Sequence, residues 1–260
     1  PEADVPHILC QDTRHALSVA AKRYYGSAAD RLKIFAVTGT NGKTTTTYML
    51  KAIFESNGFN TGLIGTNAVE YGGTVYPATL TTPDPTELHE IFARMEKAGV
   101  THVVMEASAH ALALKKLDGI RFKAVGFTNL SRDHLDFFGD MENYKRAKLL
   151  LFKKERSDFA CANAEDACSE EIVSFNKNAI LYGLNGNAAV RAKDLKLSEK
   201  GSKFKVEYCG SKAEAVVSLP GKYNVYNALC ALSMALSSGI SLTDAWEGLK
   251  KFSGAEGRFE

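Results

Sequence analysis

The stretch Lys33-Ile-Phe-Ala-Val-Thr-Gly-Thr-Asn-Gly-Lys-Thr44 decides the fold. Lys33 to Val37 is a continuous apolar run of the kind that a strand buried on both faces requires. From Thr44 to Ser56 the spacing turns helical, and Asn57-Gly58 supplies the stop. Between strand and helix lies Thr38-Gly-Thr-Asn-Gly-Lys-Thr44, which reads as a phosphate-binding loop. A helix N-terminus leaves backbone N–H groups unpaired and carries the positive end of the helix dipole. Glycines there let the chain approach an anion closely. In such a loop Lys43 reaches terminal phosphates and Thr44 holds Mg²⁺. The general form G-x-x-x-x-G-K-[ST] is shortened here, because Val37 stands five before Gly42 and the nearest glycine is Gly39.

Outward from this loop, apolar runs alternate with helical patterns from about residue 33 to 185. That alternation predicts βαβ units, hence an α/β fold with a mostly parallel sheet and flanking helices. Strands are expected near 33–38, 60–65, 101–107, 122–128, 157–162 and 179–183. Asp84-Pro85-Thr86-Glu87 has the composition of a helix start, with Asp as cap and Pro at the first position. Asp140 precedes a helix expected over 141–154. Residues 187–219 change to short alternating stretches broken by Gly201 and Gly210, read as a small antiparallel β subregion. Helices are expected over 224–238 and 242–252. Residues 1–30, with a short helix near 15–25, are too few to fold alone and read as the tail of a preceding domain.

Composition bounds the rest. The chain has 260 residues, 45% apolar and 24% charged, with a formal net charge of +2, which argues against a dedicated nucleic-acid surface. Five cysteines without a C-x-x-C pair suit reduced thiols in a cytoplasmic compartment. No apolar run approaches the roughly 18 residues needed to cross a bilayer, so no membrane partner is expected. The chain starts at Pro1 rather than Met and is read as a trimmed piece.

In an open parallel sheet, ligands gather at the carboxyl ends of the strands. After the strand at 101 comes Met105-Glu-Ala-Ser-Ala-His110, where Glu106 is placed to bind Mg²⁺ beside Lys43 or, alternatively, to be an exposed or paired glutamate. After the strand at 122 comes Thr128-Asn-Leu-Ser-Arg-Asp-His134-Leu-Asp136. There His134 is open to metal binding, base catalysis or a structural role. Lys148 lies four residues after Tyr144, on one helix face beside an apolar run. Partial burial with a lowered pKa competes with an ordinary snorkelling lysine. Leu219-Pro-Gly-Lys-Tyr-Asn224-Val-Tyr-Asn227 puts two Asn at a helix start; capping uses one, and the other is free for an adenine or ribose edge. Arg258, after Gly257, is either a phosphate or ribose clamp or a solvated side chain.

Taken together, T-G-T-N-G-K-T, E-x-S-x-H, N-L-S-R-D-H-L-D, Y-x-x-A-K, L-P-G-x-x-N-x-x-N and the final G-R-x-E resemble the Mur ligases, ATP-dependent amide-forming enzymes of bacterial cell-wall synthesis. The resemblance covers roughly residues 10–260. Leu80-Thr-Thr-Pro-Asp-Pro85 and S-R-D-H-L-D are most similar to the branch that adds the third peptide residue. The resemblance implies that Gly39, Thr40, Asn41, Gly42, Lys43, Thr44, Thr45, Asn227 and Arg258 contact ATP. It implies metal-binding roles for Thr44, Glu106 and His134, and for Lys148 as a CO₂-derived carbamate, making Lys43, Glu106, His134 and Lys148 the catalytic set. Thr81, Thr82, Ser108 and Lys116 match substrate-binding positions, with Lys116 standing where relatives often carry Arg. Implied partners are UDP-N-acetylmuramoyl-dipeptide and an amino acid, lysine or meso-diaminopimelate, with ATP and Mg²⁺ as cofactors, no nucleic acid, and a monomeric state. On this reading 1–30 is the end of a UDP-binding domain, 31–260 is the central ATP-binding domain, and the amino-acid-binding domain is absent. The chain alone should then bind ATP weakly and not ligate. A folylpolyglutamate synthetase-like ligase is disfavoured by T-T-P-D-P and S-R-D-H-L-D. A nucleotide-driven switch is disfavoured because the strand at 101 ends in Glu106 rather than Asp. A nucleotide-binding fragment without activity of its own remains open.

Overall fold

Strand β1 (Lys33–Thr38) occupies the middle of the sheet, and every residue after Lys33 is buried. Because side chains alternate across a strand, Phe35 and Val37 enter one hydrophobic core while Ile34 and Ala36 enter another on the opposite face. This is the physical reason for the unbroken apolar run. The computed structural model describes residues 7–252 and 254.

Helix α1 (Thr13–Tyr24) comes first, with Asp12 accepting from the Arg14 and His15 amides. It is tied to a distant turn, since Ser18 Oγ donates to Lys115 O at 2.7 Å and Lys22 Nζ to Gly119 O at 2.7 Å. Next come β1, α2 (Lys43–Ser56), β2 (Thr61–Ile64), a hairpin of β3 (Ala68–Tyr71) and β4 (Thr74–Pro77), α3 (Pro85–Lys97), β5 (His102–Glu106) and α4 (Ala109–Ala113). The chain continues through β6 (Phe122–Phe127), α5 (Leu135–Phe138), α6 (Met141–Leu149), β7 (Ser157–Asn163), α7 (Ser169–Phe175) and β8 (Ala179–Gly183). It closes with β9 (Val190–Ser198), β10 (Gly201–Tyr208), β11 (Ser211–Val217), α8 (Lys222–Ser237) and α9 (Leu242–Leu249).

One 11-stranded sheet results, in the order β11-β10-β9-β8-β7-β6-β1-β5-β2-β3-β4. The pairs from β2 across to β9 are all parallel, and the antiparallel pairs lie at the two ends. Helices α2, α8 and α9 cover one face through Met49, Leu50, Ile53, Leu229 and Trp246. The other face is covered by α3 through Leu88, Phe92 and Met95.

All six strands expected from the apolar runs form within a residue or two of their predicted ends. The antiparallel strands expected over 187–219 form as β9, β10 and β11, and they extend the main sheet because β9 joins β8 in parallel register, Tyr182 opposite Val190. One helix boundary needs correction. The helix expected over 141–154 stops at Leu149 and tightens into a 3₁₀ turn over Leu150–Phe152, with Leu151 and Phe152 buried. The β3–β4 hairpin turns on Gly72-Gly73, whose φ of 59° and 77° suit a two-residue loop, a signal the apolar runs alone did not use; it adds an edge whose outer strand is exposed throughout.

Candidate active site

The loop between β1 and α2 is shaped by two glycines. Gly39 has φ 146°, and a Cβ there would lie 1.9 Å from Thr128 Oγ1; Gly42 has φ 86°, and a Cβ would lie 2.3 Å from Asn227 Oδ1. Neither conformation nor space admits a side chain. The exit of β6 pins the loop from outside: Thr40 N donates to Asn129 O at 2.9 Å, Asn41 N to Asn129 Oδ1 at 3.1 Å, and Thr128 Oγ1 to Asn41 O at 2.6 Å. Gly42 opens α2 without a side-chain cap, leaving the first-turn amides to an outside anion. Lys43 Nζ folds back onto Gly39 O at 3.0 Å and Thr40 O at 2.9 Å. An arriving phosphate would exchange those carbonyls for a full negative charge, a stronger partner.

Glu106, at the end of β5, is 1% exposed. Its carboxylate accepts from Thr44 Oγ1 at 3.0 Å, Thr66 N at 2.9 Å and Thr66 Oγ1 at 3.1 Å. Three neutral donors thus hold this buried carboxylate in place. A hydroxyl and a carboxylate side by side are hard oxygen donors and fit Mg²⁺. Among the described residues no group of three or more His, Cys, Asp or Glu side chains could hold a metal unaided. Thr66 escaped the sequence reading, although it directly follows a predicted strand, where the carboxyl-end rule would have pointed.

Lys148, on α6, is also 1% exposed. Burial, and secondarily the charge of Lys43, brings its pKa down to about 7. Its ammonium sits 4.3 Å from the centre of the Tyr144 ring, and Tyr144 OH lies 3.3 Å from Thr40 Oγ1, linking α6 to the loop. The snorkelling alternative is therefore wrong for this lysine. His134 adopts φ 53° just ahead of α5, is half exposed, and has Asp133 Oδ2 at 3.5 Å. Its ring is 4.8 Å from that of His110, whose pKa burial and the neighbouring His134 lower. His110 gained no role in the sequence reading because a histidine in an E-x-S-x-H stretch carries no local signal of what it faces.

Two cavities meet at the loop, and Asn41 and Gly42 line both. The first, about 330 Å³, gathers Lys43, Thr44, Thr81, Thr82, Glu106, Ser108, Lys116 and His134. Within it Thr82 Oγ1 donates to Glu106 O at 2.9 Å, Ser108 Oγ caps α4 by accepting from Ala111 N at 3.2 Å, and Lys116 Nζ pairs with Asp84 at 2.7 Å. That pairing corrects the capping role expected of the Asp84 side chain, which makes no cap bond to α3. The second cavity, about 560 Å³, is lined by Thr45, Thr128, Asn129, Asn163, Tyr223, Tyr226 and Asn227. Lys148 lines neither and is buried behind Tyr144.

The Asn pair behaves differently from expectation. Helix α8 begins at Lys222, so Asn224 is already inside it, and its Nδ2 donates back to Pro220 O at 2.8 Å. Asn227 Nδ2 donates to Asn224 Oδ1 at 3.1 Å, so Asn227 is held rather than free, with its oxygen against Gly42. Arg258 lies outside the described residues.

The Mur ligase middle-domain model matches residues 37–235. A UDP-N-acetylmuramoyl-L-alanyl-D-glutamate–2,6-diaminopimelate ligase of Clostridium tetani is 40% identical over 258 residues, covering 99% of this chain and 53% of its own length. A solved structure of a ligase of the same description superposes with a TM-score of 0.90 at 30% identity, over 99% of this chain and 54% of its own. A MurF structure from Acinetobacter baumannii shares the fold with a TM-score of 0.75 at 23% identity. The chain thus spans about half the length of the curated relatives it matches. Among the described residues no helix is long and apolar enough to cross a membrane. With a shortened phosphate loop, a buried carboxylate at the end of β5 and a buried lysine on α6, and with the family model matching most of its length, this chain belongs to the Mur ligase family.

Proposed function

We propose that this chain is the ATP-using core of a bacterial cytoplasmic ligase that joins 2,6-diaminopimelate to the D-Glu carboxylate of UDP-N-acetylmuramoyl-L-Ala-D-Glu. Residues 1–30 would end a UDP-binding domain, 31–260 form the central domain, and a further domain would supply the amino acid. The observation that carries this reading is the pair of cavities meeting at Asn41 and Gly42. One is lined by charged groups and one by neutral amides and tyrosines, as a site that transfers a phosphoryl group from a nucleotide to an acid requires. The relatives' printed names supply diaminopimelate; lysine is the competing amino acid.

In this mechanism the carboxylate oxygen attacks the γ-phosphorus of ATP, the bond to the bridging oxygen breaks, and ADP leaves. The incoming amine nitrogen then attacks the acyl carbon, phosphate departs with its bonding electrons, and the nitrogen loses a proton. Lys43 and the α2 amides neutralise charge growing on the transferring group, and the Lys116 ammonium orients the acid. Thr44 and Glu106 would hold a bound Mg²⁺, which supplies further charge neutralisation. Lys148 is suited to carbamylation: near pH 7 a good share of it is the neutral amine that CO₂ needs. The resulting carboxylate and His134 would serve a second cation. Phosphate release by the complete enzyme should require both the UDP-sugar-dipeptide and diaminopimelate. Turnover with a folate and glutamate instead would refute the assignment.

A further inference from the structure

We infer that Glu165 is a positioning residue for the nucleoside half of the nucleotide: it ties the exits of β7 and β8 to helix α8 and so fixes two walls of the second cavity. The inference rests on the reading of that cavity as an ATP site. Glu165 does not line the cavity, yet three donors from two other elements converge on its carboxylate. Oε1 accepts from Leu184 N at 2.6 Å and Asn185 N at 3.2 Å, just beyond β8, and Oε2 accepts from Tyr226 OH at 2.6 Å, on α8. Its own amide donates to Asn163 Oδ1 at 3.0 Å. Asn163 and Tyr226 are both wall residues. Gly183 leaves room for the carboxylate, since a Cβ there would lie 2.9 Å from Oε1.

Glu165 itself is exposed and outside both hydrophobic cores, and Tyr226 and Leu184 keep their packing against one of them without it, so removing its carboxylate should cost the fold little. Nor does it touch the phosphate loop. Its effect should therefore be confined to whatever packs on Tyr226 and Asn163. A ligand that uses only the loop should not register its loss.

Two probes separate these ends: ADP, which engages both, and inorganic tripolyphosphate, which engages the loop alone. Calorimetric titration of the wild type, Glu165→Ala, Glu165→Gln and Tyr226→Phe with each probe, alongside thermal melts, tests the brace. Glu165→Ala should weaken ADP about tenfold, the scale of lost charge-assisted hydrogen bonds. Tripolyphosphate affinity should stay within about twofold and the melt within the ordinary range of surface changes. Glu165→Gln should retain most ADP affinity, because its amide oxygen still accepts from Leu184 and Asn185 and its NH₂ can donate to Tyr226 OH. Tyr226→Phe should fall between the two. Unchanged ADP binding in Glu165→Ala, or equal losses for both probes, overturns the brace. Wild-type binding of tripolyphosphate without ADP removes the nucleoside cavity and the inference with it. Binding of neither probe defeats the ATP reading itself.

Discussion

The two cavities on either side of the phosphate loop are built from opposite materials. On one side Glu106, Lys116, Lys43 and His134 surround a space of about 330 Å³; on the other, Asn163, Asn227, Asn129, Tyr223 and Tyr226 surround one of about 560 Å³. Charge can be held in the first because each charged group already has partners, as the three donors on Glu106 show. Neutral amides and phenols in the second can recognise a heterocycle and sugar without an ionic desolvation cost. Chemistry and recognition are thus separated by the width of one loop, and changes on the two sides should have separable effects.

The largest effect is expected in the first cavity. Glu106→Ala removes the buried carboxylate beside Thr44, and turnover in a phosphate-release assay should fall by about 10³-fold. Binding of metal-free ADP should change by less than about threefold. Loss of both would dissolve the distinction between the two cavities. Lys148→Met should lower turnover by about 10²-fold while raising thermal stability. The sign follows from its depressed pKa of about 7. Between pH 7 and the normal lysine range the unfolded chain binds a proton that the folded one lacks, so stability rises with pH there. Below pH 7 the folded protein carries the buried ammonium at full penalty. Melting curves should show the Met variant gaining most below pH 7 and little by pH 10.

A smaller, complementary effect belongs to the second cavity. Asn227→Ala should raise the KM for ATP about tenfold with kcat nearly unchanged, measured by steady-state kinetics. An equal fall in kcat would place Asn227 in the chemistry and break the comparison. The smallest effect on either cavity is expected far from both. His102, at the start of β5, is 2% exposed among Phe35, Phe54 and Phe59, and burial lowers its pKa to about 4. Below about pH 6.5 the unfolded state takes up a proton that the folded one refuses. Wild-type stability should therefore drop between pH 6.5 and 4, by roughly 2–3 kcal/mol from this residue. His102→Phe should flatten that slope in denaturant titrations and leave both cavities' ligands unaffected.

The parallel core was legible in the chain because a strand buried on both faces must be apolar at consecutive positions, as Ile34 to Val37 are. The β3–β4 hairpin carries no such run, because its short strands are partly or wholly exposed; its local mark is the Gly72-Gly73 turn instead. The joining of β9 to β8 was hidden for another reason. Alternating patterns reveal a strand but not its neighbour, and here one parallel register between Tyr182 and Val190 merges two regions into one sheet. Within the site, Lys43, Thr44 and Glu106 were found by position, since a loop motif and a strand end are local facts. Thr66 was within reach of the same rule, since it directly follows the strand expected at 60–65, whereas His110 stayed invisible because it matters only through His134, distant in sequence.

By itself the sequence determined the phosphate loop, the parallel strands and the family resemblance, because the loop and each strand are local patterns and the resemblance rests on the order of several such local motifs along the chain. Tertiary structure alone decided the protonation of Lys148, the captive state of Asn227 and the division into two cavities. Burial, partner geometry and the close approach at Gly42 are properties of chain segments that meet only after folding, and no local pattern encodes their distances.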